Sequence, residues 1–158
     1  MPLAPSVPAP GRRPRGFTLV ELMLGIGVLS VLMMIAMPFW ADHRERVRQR
    51  QAATDIGAMS VRILQYHEEE RRFPATLATV GMDDRRDPWG QPYQYYNIRD
   101  GQIGDARKDR SLVPINSDFD LYSLGKDGAS ARQLGAGVSQ DDVIRAANGT
   151  YVGIASGY

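Results

Sequence analysis

No cysteine occurs anywhere in the 158 residues. Its absence excludes disulfides, thiolate zinc sites and a cysteine nucleophile. Any exported part must be held by its core, or by another device such as a metal. Histidine is almost as scarce, with only His43 and His67 present, and neither sits in a recognisable motif. Charge of one sign is also lacking: the net charge is +1, so composition points neither to a nucleic-acid binder nor to an acidic tail. There is no glycine-rich phosphate loop, nucleophile elbow or metal-hydrolase helix motif, and an enzyme is not expected. No internal repeat is visible, and the length allows one modest globular domain.

What is present is distributed unevenly. Residues 1–16 carry Pro2, Pro5, Pro8, Pro10 and Pro14 with Arg12, Arg13 and Arg15, a density of proline that no helix tolerates. This stretch reads as a basic leader. It is followed by FTLVELMLGIGVLSVLMMIAMPFW, residues 17–40, about the length that crosses a bilayer as a helix. A segment apolar on every side does not suit the core of so small a domain. A secretory signal peptide would have a shorter apolar region and a small-x-small cleavage site, whereas Met37-Pro38-Phe39-Trp40 closes this one with bulky residues. Arginines flank both ends, with Arg44, Arg46, Arg48 and Arg50 following the span, so the positive-inside rule leaves the orientation open. The acidic Asp42 and Glu45 among them favour a solvated or inter-subunit helix face over a nucleic-acid contact.

From Ala41 to about Arg72 the pattern becomes amphipathic, with Val47, Ile56, Met59, Ile63 and Tyr66 mostly three and four apart, which marks one apolar helical face. Only Pro38 interrupts the run from Phe17. A single helix is therefore expected, kinked or locally unwound at Pro38, weakened at Gly57 and stopped by Phe73-Pro74. The remainder is turn-rich. Asp87-Pro88-Trp89-Gly90 reads as a turn. Pro92–Ile98, Asp118–Leu124 and Tyr151–Ile154 read as strands, the second with Phe119, Leu121 and Ser123 on one face and Asp118, Asp120 and Tyr122 on the other. The expected class is α+β: a long N-terminal helix, membrane-spanning in its first half and amphipathic in its second, packed on a small antiparallel sheet. The expected organisation is 1–16 leader, 17–40 membrane helix and 41–158 globular domain, of which 41–72 is helix and 73–158 is turn- and strand-rich.

Two groups of residues carry chemistry. Glu21 is an ionisable residue inside an apolar span, costly unless paired or able to reach the interface. A cut between Gly16 and Phe17 would create an amine four residues before Glu21, on the same helical face. A neighbouring subunit's Glu21 would then pair with that amine and set the axial register. Asp118, Asp120, Asp127, Asp141 and Asp142 gather in the last third. Carboxylates suit a hard cation such as calcium, but Asp-Gly is also a turn dipeptide and Asp141-Asp142 would equally cap a helix near 143–147. Ligand type alone does not choose between these.

Gly16-Phe17-Thr18-Leu19-Val20-Glu21 before an apolar span resembles the class III signal of type IV prepilins and type II secretion pseudopilins. DPWGQPYQYYN and DLYSLGKDG, followed by Asp141-Asp142, resemble the globular domain of the major, G-type pseudopilin. The likeness covers most of Arg15 to Ile144. It implies cleavage after Gly16 by a prepilin peptidase, methylation of the Phe17 amine, and assembly through Glu21. It also implies insertion in lipid before assembly and partnership with further copies of itself, other pseudopilins and an inner-membrane assembly platform. No nucleic-acid partner is implied. The leader would remain in the cytoplasm and the globular domain would be periplasmic. Calcium is implied as well, on the Leu124 carbonyl, Asp127, Asp141 and Asp142.

The alternatives in view are a type IV pilin for adhesion, motility or DNA uptake, many of which close their C-terminal loop with a disulfide absent here, and a membrane-anchored binding protein that never polymerises. The chain departs from the G-type pattern in a shortened segment 74–81, a longer loop between Asp127-Gly128 and Asp141-Asp142, and a tail, NGTYVGIASGY, that continues to Tyr158. The leader is longer and richer in proline than the family's usual one, which leaves the start codon open.

Overall fold

A computed structural model describes residues 16–158, apart from the side chain of Pro38. The leader expected at 1–16 therefore lies outside the described residues, save for Gly16. The chain divides into two compact units, Met1–Ala41 and Asp42–Tyr158.

α1 spans Leu19–Glu70, and its residues fall in both units. Its N-terminus is built by Thr18, whose hydroxyl accepts the Glu21 amide at 3.2 Å while its carbonyl takes the Leu22 amide at 3.1 Å. Thr18 thus stands at the N-cap and Glu21 three residues on, the spacing of a capping box. The glutamate charge also sits at the positive end of the helix dipole. The helix continues through Pro38 without the local unwinding expected there; a proline lacks an amide donor but keeps the φ a helix needs. In the first unit every large apolar side chain of the described residues is exposed, Phe17 and the Leu, Val, Met and Ile residues up to Trp40 included.

In the second unit, the helix buries Ala52, Ile56, Met59 and Ile63 completely, positions three and four apart. Tyr66 is half-buried and Val47, expected on the same stripe, is exposed; the stripe begins at Ala52, a residue too small to signal itself in the pattern. The helix ends at Glu70, ahead of the expected Phe73-Pro74 stop, where Arg71 takes φ 57° and donates its amide to the His67 carbonyl. Leu77–Val80 forms a short 3-10 turn whose Leu77 and Val80 join the core.

Four strands follow: β1 Gln94–Asn97, β2 Phe119–Ser123, β3 Val143–Ala146 and β4 Tyr151–Ile154, paired antiparallel in that order. Asn97 faces Phe119, Ser123 faces Val143, and Ala146 faces Tyr151. The expectation of a long helix with a small antiparallel sheet holds. β3 corrects the reading of 143–147 as a capped helix. It is buried along its whole length, because Val143 packs in the core with the helix stripe, Phe119 and Leu121, while Ile144 and Ala146 pack on the other side with Ile115, Leu134 and Ala155. A strand covered on both faces loses the alternation that would announce it. β2 keeps the expected alternation, with Phe119 and Leu121 in one core and Tyr122 against the other, but its polar face is covered too: Asp120, and Asp118 just before the strand, are buried.

Candidate functional site

At the N-terminal motif, Gly16 precedes the helix with nothing within 4 Å of the position a Cβ would occupy. The Gly16-Phe17 junction is thus unobstructed by the described residues. Phe17 is 83% exposed. The amide of Glu21 is tied down by Thr18, and among the described residues its carboxylate has neither hydrogen bond nor ion pair. α1 is long and apolar enough to cross a membrane. The sequence reading gave Glu21 an inter-subunit role alone. The Thr18-to-Glu21 spacing, a helix-start signature legible in the sequence, adds a second role in starting the helix.

The two histidines form no site. His43 is exposed, and His67 stacks on Phe73 with ring centroids 4.1 Å apart, so it is half-buried packing rather than a plain surface residue. The DPWG turn is present, with the Gly90 amide on the Asp87 carbonyl at 2.9 Å and Gly90 at φ 92°. Asp87 braces it further, accepting the Trp89 and Gln91 amides and the Ser123 hydroxyl. Trp89 in turn donates to Glu45, and Tyr93 donates to Asp55, which ties the turn segment to α1 within the second unit.

The predicted cation ligands are placed differently from one another. Leu124 follows the end of β2. Asp141 Oδ2 accepts the amides of Lys126 and Asp127 at 2.8 and 3.1 Å, and Asp127 Oδ1 accepts the Ala129 amide at 2.8 Å. Gly125, at φ 67°, lies so close to Asp141 that a Cβ there would collide with its backbone. Asp142 turns away from this group. It is fully buried, and its Oδ2 accepts from the Arg107 guanidinium at 2.6 Å and from the Ser130 hydroxyl at 2.6 Å. No three acidic or imidazole side chains among the described residues come together to hold a metal ion. The donor set expected for calcium, Leu124 with Asp127, Asp141 and Asp142, therefore does not fit one here. One oxygen of each carboxylate is already engaged, in Asp127 and Asp141 by backbone amides and in Asp142 by the Arg107 guanidinium and the Ser130 hydroxyl.

Sequence reading missed the groups that organise this region. Arg107 and Arg145 are 3% and 1% exposed. The Arg107 amide donates to Asp120 at 2.7 Å, and Asn116 donates to the other oxygen of Asp120 at 2.9 Å and to the Arg145 carbonyl at 2.9 Å. Arg145 binds both oxygens of Asp118, at 2.8 and 2.7 Å, and the Phe119 carbonyl at 3.1 Å, with its guanidinium 3.9 Å above the Phe119 ring. Burial pushes the Asp120 carboxyl above the ordinary carboxylate range against the pull of the Arg107 amide and Asn116. Burial likewise pushes Asp142 up, opposed by Ser130 and Arg107. The one available signal was Arg145 itself, a charge in the middle of an apolar strand. Nothing in the charged run around Arg107 sets it apart.

An exposed apolar helix behind a capped glutamate, leading into a helix-on-sheet unit, defines a protein of the prepilin class. The family described as the prokaryotic N-terminal methylation motif matches residues 11–37. The type II secretion system core protein G of Pectobacterium carotovorum subsp. carotovorum is 30% identical over 139 residues, covering 75% of this chain and 80% of that protein. Its counterpart in Dickeya chrysanthemi is 30% identical over 117 residues, covering 74% and 73%. That of Aeromonas hydrophila is 28% identical over 138 residues, covering 74% and 86%. No solved structure matches the chain. The chain belongs to the family of type II secretion system core protein G.

Proposed function

We infer that the protein is a structural subunit of a type II secretion pseudopilus, assembling through α1 to promote protein export. The observation that carries this is the exposed apolar stretch from Phe17 to Trp40 with Glu21 at its N-terminal end. A helix apolar on all sides requires either lipid or other copies of itself around it. Lipid serves before assembly and neighbouring helices after it. A buried carboxylate is expensive unless compensated, and the amine of a cleaved Phe17 is the compensating charge available at the same depth.

On this reading a prepilin peptidase cuts after Gly16 and methylates Phe17, and an inner-membrane platform drives assembly. The Asp42–Tyr158 unit lies in the periplasm, and the protein performs no catalysis. The domain limits 1–16, 17–40 and 41–158 belong to the same proposal: leader, filament-core helix and periplasmic domain. Cysteines introduced on the exposed face of α1 beyond Trp40 should give a ladder of crosslinked species in intact cells. Glu21→Ala should remain inserted in the membrane yet lose that ladder. A wild-type protein that crosslinks to no copy of itself would leave the reading without its basis, and a normal ladder from Glu21→Ala would remove the glutamate from it.

A further inference from the structure

We propose that the loop joining β2 to β3 is closed by the guanidinium of Arg107, in the role that the family resemblance gives to calcium. A cation in that role would have to tie the end of β2 to the acidic pair that precedes β3. Arg107 already makes this tie. Its amide is anchored on Asp120 of β2, and its guanidinium lies 4.1 Å from the ring centroid of Tyr122, also on β2. From there it donates to Ser130 within the loop at 2.7 Å and to Asp142 at 2.6 Å. Ser130 completes the triangle by donating to the same Asp142 oxygen. The Oδ1 of Asp142 and the Nε of Arg107, both buried without a partner, belong to the two members of this one ion pair and do not mark a separate ligand site.

Asp141, the second half of the acidic pair, also has one oxygen engaged by the protein. The Lys126 and Asp127 amides converge on Asp141 Oδ2, and these are positive ends directed at the oxygen a cation would need. A divalent ion on that oxygen would face two N–H groups, which repel it.

The middle of this loop is the remaining part of the device. The Lys108 amide donates to the Arg132 carbonyl at 2.8 Å, and the Leu134 amide donates to the Lys108 carbonyl at 2.9 Å. Gln133 of the loop thus pairs in parallel with Lys108, beside Arg107, while Leu134 packs beside Ile115 and Ile144. Loop and arginine act together: the loop pairs with the backbone beside Arg107, and Arg107 supplies the positive charge.

The test is thermal unfolding of the full chain in detergent, with millimolar calcium against a chelator, and a calorimetric titration of calcium into the wild type. The two wild-type melts should superimpose and the titration should show no binding heat. Arg107→Gln should melt several degrees lower in both buffers, since it leaves Asp142 buried without a countercharge. Asp127→Ala, whose carboxylate only caps a turn, should change the melt little in either. A rise of the wild-type melting temperature with calcium, or a saturable calcium heat, overturns the proposal without recourse to any variant. So does an Arg107→Gln protein as stable as the wild type. The crosslinking ladder reads assembly independently, so an intact ladder with a calcium-dependent melt sinks this inference and leaves the pseudopilus assignment standing.

Discussion

Replacing Arg145 by methionine removes a charge that the second unit has buried among Asp118, Phe119 and Asn116. Methionine keeps an unbranched apolar stem in place of the guanidinium, so the packing loss is small. What remains is Asp118, 9% exposed as a residue, without the two short bonds it shared with Arg145. Breaking a buried pair from one side costs about 3–5 kcal/mol. The guanidinium also stacks on Phe119, a contact worth roughly 0.5–2 kcal/mol. Against this, the Nε of Arg145 is buried with no acceptor, so the native arrangement already carries one unsatisfied donor. That places the loss in the lower part of the range, about 3 kcal/mol.

For a unit of this size such a loss lowers the midpoint of thermal unfolding by about 10 °C. The assay is urea unfolding of the full chain in detergent, followed by the near-ultraviolet dichroism of the packed tyrosines, with Arg145→Met, Asp118→Asn and the double variant compared. The double variant should be no less stable than Arg145→Met alone, because the stranded charge is gone. Losses below about 0.5 kcal/mol for Arg145→Met, or strictly additive losses in the double variant, would refute the reasoning that this pair is buried and coupled.

N-terminal sequencing and mass measurement of the mature protein should give a chain beginning at N-methylated Phe17; a start within Met37 to Ala41 would indicate an ordinary signal peptide instead. Burial, reinforced by the hydrogen bond to Asp55, raises Tyr93 well above the ordinary tyrosine value, and burial with the nearby Asp100 charge raises Tyr95 likewise. A raised folded value means that the stabilisation is complete below the unfolded tyrosine pKa of about 10 and is lost as pH climbs from there towards the folded values. In a titration of phenolate absorbance these two tyrosines should stay silent until the unit unfolds, and resistance to urea should decline above about pH 10. Their ionisation in step with exposed tyrosines, in a still-folded protein, would contradict the burial.

Much of the protein is determined by short stretches of its sequence. The apolar run after Gly16, the three-and-four spacing of Ile56, Met59 and Ile63, the DPWG turn and the tyrosine-rich β1 all announce themselves, because membrane transfer, helical periodicity and turn sterics act over a few residues. The Thr18-to-Glu21 cap was equally local. The tertiary structure decided the rest. Asp142 looked like a free cation ligand, and its partner Arg107 lies 35 residues away. β3 looked like the start of a capped helix until two cores closed over it. Arg145 and Asp118 meet only when β3 is laid beside β2. A carboxylate on a strand reads the same whether a metal, an amide or a guanidinium waits for it. Which one does is settled by the chain that folds back over it, and in this protein that chain is the longer loop and the segment carrying Arg107.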